Sequence, residues 1–395
     1  MIKLLFFVFW LLNSHDSHRV NAIHIDDLEI ERQLQVLNKP SRKSIQTEFG
    51  YIIDCVDIYK QPAFDHPLLK NHTLQRKPSF QNSFRKTSVN NSSNKLIFGL
   101  QKEKCPMGTV PIRRTTKDDL IQGKSLLYIY NQSLVQDNPG VHMAELYVIE
   151  EMGPFYQVKG ISSVYNPRVL KKNVNQVSIS HIWVENDHGT NKIAFGWQVA
   201  PELYGRDTGT HLFSIWTTDN FNHTGCYNQQ CRGFVQTNRD KFLGSRLSKT
   251  SVYGGTTVEI SISITVVEFR INYVDPQSKN WWLNIDGRDI GYYPGEIFWN
   301  MASGDRVGWG GRTKTPAGLP SPQMGSGNLP DGNFQHAAYF KGMAFTDDER
   351  DIEPNKHDTE TSIDNSDCFD LDFYYDNHGF GDSLQYGGPG GVCGD

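Results

Sequence analysis

The sequence predicts an all-β protein, an antiparallel β-sandwich preceded by a smaller α+β segment, and three observations carry that expectation. Strand-length apolar runs recur from about residue 140 onward, divided by Gly, Pro, Asn and Asp rather than by helical stretches. One run alternates strictly: Ile260, Ile262, Ile264 and Val266 share one face, and Glu259, Ser261, Ser263 and Thr265 share the other. Composition agrees, because 22 Phe, 17 Tyr and 8 Trp beside 35 Gly suit twisted sheets better than helix bundles.

Taken in order, the chain opens on Leu4 to Leu12, a short apolar run after Lys3 and well below the ~20 residues that span a bilayer. This pattern reads as a secretory signal peptide over residues 1–22, ending at Val20-Asn21-Ala22. Leu28 to Leu37 carries apolar residues at helical spacing, and Lys39-Pro40 stops it. Asp54 to Tyr59 and Leu96 to Ile112 hold short extended runs, separated by the polar stretch Lys77 to Asn94. The later strands are expected at Ala144 to Ile149, Val177 to Val184, Ile193 to Val199, Leu212 to Trp216, Thr257 to Ile271, Trp281 to Ile285 and Ala337 to Phe340. The organisation is therefore a leader over residues 23–130 and a main β-sandwich domain over residues 131–395, with a release segment between Gln122 and Asn138.

Cysteine usage agrees with export, and charge bears on the partner. Formal net charge is −5 with no basic tract, which argues against nucleic acid as a partner. No second run is long enough for a membrane span. The six cysteines (Cys55, Cys105, Cys226, Cys231, Cys368 and Cys393) are even in number, lack a CxxC pair and permit 15 pairings. Sequons begin at Asn71, Asn90, Asn91, Asn131 and Asn222, which would accept glycans in the secretory pathway.

Searches for chemistry return mostly absences. There is no GxSxG, HExxH, P-loop or GxGxxG, so standard nucleophile and zinc classes lack support, and no metal or cofactor is expected. Aromatic, glycine and amide strings stand out instead, around Trp197, Trp216, Trp309 and Gln323. Such strings suit sheet packing, and they also suit an aromatic groove holding a peptide or a sugar.

These strings, in this order, resemble the neprosin family of plant secreted proteins, a family of glutamic, proline-directed endopeptidases. In the leader, Ile53-Asp54-Cys55-Val56-Asp57-Ile58-Tyr59-Lys60-Gln61-Pro62 resembles the family's activation peptide. In the main domain the resemblance rests on Gly196-Trp197-Gln198-Val199, Thr224-Gly225-Cys226-Tyr227, Gly233-Phe234-Val235-Gln236, Trp309-Gly310-Gly311, Gln323 to Gly327 and Tyr386 to Gly390. It implies a secreted zymogen whose leader covers the groove, and disulfides Cys55–Cys105, Cys226–Cys231 and Cys368–Cys393. It also implies two facing glutamates, one ionised as general base and one protonated as acid.

Here the sequence departs from the family, because Ala194 and Arg312 occupy the two glutamate positions. Alanine exchanges no proton, and arginine stays cationic at any working pH. Glu202 and Glu296 are the nearest substitutes. Two functions follow as expectations. The first is a catalytically impaired homologue, secreted to the apoplast or cell wall, whose groove binds a peptide, protein or cell-wall polymer. Its basic residue at position 312 would favour anionic ligands. The second is an active acid endopeptidase that uses the substitute carboxylates.

Overall fold

Period-two alternation at Glu259–Val266 places Ile260, Ile262, Ile264 and Val266 in a shared core, at the heart of one of two large sheets. The computed structural model describes residues 27–78, 98–100, 103–127, 139–170, 174–266, 279–347, 350–377 and 380–393. The expected signal peptide, the polar stretch beyond residue 78 and the sequons at Asn90, Asn91 and Asn131 lie outside them.

The leader begins with helix α1, residues 27–37, as its apolar spacing predicts. A three-stranded antiparallel sheet follows: β1 Ser41–Gln46, β2 Ile52–Asp57 and β3 Thr109–Arg113. Helix α2, Lys117–Leu127, ends the described leader. Asp119 caps its first turn, accepting from the N–H and hydroxyl of Thr116. The first six residues of the expected release segment lie in this helix, and proteases favour exposed, extended chain, so they form a poor cleavage site.

Two antiparallel sheets form the main domain. One has seven described strands in the order β17-β4-β14-β6-β7-β8-β9. These are β4 Val141–Val148, β6 Val177–Asn186, β7 Asn191–Val199, β8 His211–Thr217, β9 Cys226–Tyr227, β14 Arg306–Lys314 and β17 Thr359–Ile363. The other has nine, ordered β10-β13-β12-β11-β5-β15-β19-β18 with β16 beside β15. These are β5 Gln157–Ser163, β10 Val235–Gln236, β11 Glu259–Val266, β12 Trp281–Ile285, β13 Arg288–Tyr293, β15 Ala338–Thr346, β16 Asp351–Ile352, β18 Asp370–Asn377 and β19 Gly381–Gly387. The inner faces meet in a single core that joins Ile182, Phe195 and Trp309 of one sheet to Ile262, Leu283 and Phe340 of the other. The expected sandwich is what forms.

β5 escapes a reading by alternation because glycine interrupts it. The Trp309 indole and the Phe340 ring both come within 3.3 Å of where a Cβ on Gly160 would stand. Here the facing sheet, not backbone flexibility, favours a residue without a side chain, because a methyl would press on both rings.

All three implied disulfides are present: Cys55–Cys105, Cys226–Cys231 and Cys368–Cys393. The first closes within the leader, so no described disulfide ties leader to main domain. Polar and apolar contacts hold it instead. The Gln61 amide bonds both main-chain groups of Gln236, and Ala63 packs with Val235, Trp282 and Tyr292. No described helix is long and apolar enough to cross a membrane.

Candidate functional site

The site is built on the face of the seven-stranded sheet that points away from the core. Alternation decides which side chains reach it. On β7, Ile193, Phe195 and Trp197 enter the core, so Ala194 points outward. On β14, Val307 and Trp309 enter the core, so Arg312 points outward too. β6 lies between these strands, with Trp183 opposite both Ala194 and Gly308, and Ile179 opposite both Gln198 and Arg312. His181 therefore stands midway between the two positions where the resemblance expects glutamates.

Neither position can exchange a proton. Ala194 is fully buried in an apolar cluster with Trp183, Phe213, Ile215 and Tyr227. Arg312 is buried and paired. Its Nε donates to Glu145 Oε1 at 2.5 Å and its Nη2 to Oε2 at 2.9 Å, a bidentate arrangement. Glu145 belongs to β4, opposite Gly310, which stands between it and His181. Gly310 adopts φ +150, and a Cβ there would meet the Ala144 carbonyl oxygen at 2.3 Å. With no side chain at that point, Glu145 and His181 close over the strand, and His181 Nε2 lies 2.8 Å from Glu145 Oε1. An ionised carboxylate only accepts, so Nε2 carries the hydrogen.

Electrostatics fixes these protonation states. Burial pushes the Glu145 carboxyl up, but the charge and hydrogen bonds of Arg312, with the bond from His181, outweigh it and hold the carboxyl far below its usual range. Burial, which favours the neutral ring, lowers His181 against the opposing pull of the Glu145 carboxylate. The site is thus a carboxylate held ionised by a guanidinium, with an imidazole beside it whose burial disfavours the charged ring. A carboxylate held so far down is a weak base.

The leader reaches this same face. Leu126 of α2 is fully buried in the cluster that contains Ala194, and Lys314 Nζ donates to the Ser125 carbonyl at 2.6 Å.

The other sequence-derived candidates lie elsewhere. Trp197, Trp216 and Trp309 do not line a groove; all three are buried in the core between the sheets. The Trp197 indole donates to Ser162 Oγ and the Ser163 carbonyl, and that of Trp309 to the Lys159 carbonyl, so both fasten one sheet to the other. Their size and single donor suit a dry interface with one carbonyl to reach. Gln323 accepts from the Arg168 main chain and guanidinium, and its side chain sits inside the turn at Gly327. Glu202 lies in the short turn Pro201–Tyr204 after β7, and one of its carboxyl oxygens is buried without a hydrogen bond among the described residues. Glu296 follows β13 of the other sheet and pairs with the leader's His72 at 2.7 Å. The two carboxylates follow strands of different sheets and share no hydrogen bond. Arg312, committed to Glu145, is not a free cation for anionic ligands, which corrects that expectation.

Glu145 and His181 escape a motif search because their meeting depends on strand register. A signal does exist. In Val141–Val148 a single carboxylate shares a face with Val141, Met143 and Tyr147, and in Val177–Val184 a single imidazole shares a face with Ile179 and Trp183.

Comparison with solved structures finds a scytalido-glutamic peptidase bound to a transition state analog inhibitor, at 12% identity and TM-score 0.34, covering 63% of this chain and 98% of that one. It also finds SCP-B, a member of the Eqolisin family of peptidases in complex with the tripeptide Ala-Ile-His, at 9% identity and TM-score 0.32, covering 64% and 98%. The neprosin activation peptide model matches residues 44–142. Because the neprosin model itself matches residues 174–389, more than half of the chain, this protein belongs to the neprosin family.

Proposed function

We propose that this protein is a secreted member of its family that has lost glutamic-peptidase chemistry and acts as a binding protein. One observation carries the reading: the second expected glutamate position holds an arginine bound bidentately to Glu145, while the first is an alanine sealed in apolar packing. Peptide hydrolysis by a carboxyl pair needs a base and an acid that share a proton. A carboxylate–guanidinium pair supplies neither.

The partner would be a peptide, a protein or a cell-wall polymer, met at the outer face of the seven-stranded sheet after α2 lifts away. The leader is the intramolecular cover of that face. Extracellular location, in the apoplast or cell wall, fits three disulfides and exposed sequon asparagines at Asn71 and Asn222.

The test is digestion of proline-containing peptides between pH 3 and 7, using intact protein and protein with its leader cleaved. The expected result is no cleavage at any pH in either form. Cleavage abolished by Glu202→Gln or Glu296→Gln would instead establish the acid endopeptidase with substitute carboxylates.

A further inference from the structure

A cavity of about 290 Å³ lies where both leader helices meet the loop closed by Cys226–Cys231. Its walls divide by chemistry. Val36 and Leu37 of α1 with Leu120 and Leu127 of α2 supply an apolar side, while Lys124 and Arg232 supply cations, and no acidic side chain among the described residues lines it.

Among the described residues, neither of those two cations is in contact with a carboxylate. Lys124 is exposed and forms no salt bridge or hydrogen bond among the described residues. Arg232 donates to the main-chain oxygen of Asp65, an uncharged acceptor, while the Asp65 carboxylate pairs with Lys39. Arg32 also reaches the cavity, but Glu29 accepts from two of its N–H groups and is its ion-pair partner. Glu29 lies within electrostatic reach of Lys124 as well, and its carboxylate is already taken up by Arg32 and Gln33. What remains, among the described residues, is an apolar chamber with two cations at its wall that no carboxylate contacts. A ligand filling it gains from burying a hydrocarbon body and from placing one anionic group between Lys124 and Arg232.

We propose that this cavity binds a small hydrophobic anion, an aromatic or aliphatic carboxylate. Because its walls come from the leader and from the main domain, the ligand ties the two together and stabilises the covered form by linkage. The site lies apart from Glu145 and Arg312, so it stands whether or not the peptidase chemistry is lost.

The experiment is calorimetric titration of the intact chain at pH 7 with 2-naphthoate and with its neutral counterpart 2-naphthalenemethanol. The expected result is saturable binding of the carboxylate at one site, about tenfold tighter than the alcohol. Lys124→Glu and Arg232→Glu each weaken it about fivefold or more, and Lys356→Glu, at an exposed position that does not line the cavity, leaves it unchanged. Should a charge reversal disturb folding, Lys124→Gln removes the charge and keeps most of the stem. Absence of saturable binding, equal affinity for the alcohol, or indifference to the cavity variants would each overturn the assignment.

Discussion

Arg312→Ala lowers the unfolding free energy at pH 7 by about 3–5 kcal/mol, because it strands the fully buried Glu145 carboxylate without its guanidinium. The sign of the pH dependence also changes. In the wild type the folded Glu145 carboxyl sits below its unfolded value, so its contribution is complete above an unfolded pKa of about 4.3 and falls away as the solution becomes more acid. Without Arg312, burial is the dominant influence and raises the folded value above the unfolded one. The variant then regains stability as pH falls from 7 toward 4, and the gap to wild type narrows. Urea unfolding of both proteins at pH 7 and pH 4 measures this. Replacing both partners, as in Glu145→Leu with Arg312→Met, restores most of the loss, less about 1–3 kcal/mol for the His181 hydrogen bond to Glu145 that is lost.

Trp309→Ala costs about 3–5 kcal/mol through a cavity in the core, and Trp309→Phe costs about 1–3 kcal/mol through loss of the indole bond to the Lys159 carbonyl. This tryptophan is fully buried and lies over Gly160 of the facing sheet. Were it a groove residue, its removal would change stability by no more than about 0.5 kcal/mol and would impair ligand binding instead. Chemical unfolding followed by far-ultraviolet circular dichroism separates these outcomes. The expected result is a lower midpoint with an unchanged native spectrum.

The same tryptophans show where sequence reasoning reaches its limit. Alternation at Ile260 to Val266 determines which side is buried, because a strand's period of two has no other solution with one dry face. Alternating tryptophan and glycine does not discriminate, since two sheets packed face to face need large indoles set against residues without side chains. The same string would furnish an aromatic groove. Ala194 and Arg312 were legible because Gly196-Trp197 and Gly310-Gly311 hold them in register, and both do reach one face of one sheet. The partnership of Arg312 was not. Glu145 precedes it by 167 residues, and only the order β4-β14-β6 brings Glu145, Gly310 and His181 into one row. That row also determines how glutamates could be restored. Ala194→Glu with Arg312→Glu sets a second carboxyl against Glu145, so a foldable reversion also needs Glu145→Gln.

The protonation state of Glu145 tests the central claim most directly. Isotope-edited infrared difference spectra between wild type and Glu145→Gln, recorded from pH 4 to 7, report whether this buried carboxyl carries a proton. An ionised carboxylate across the whole range, with no protonated band lost in the variant, is the expected result. A protonated carboxyl band in the wild type that disappears in Glu145→Gln would contradict the account and return an acid to this site.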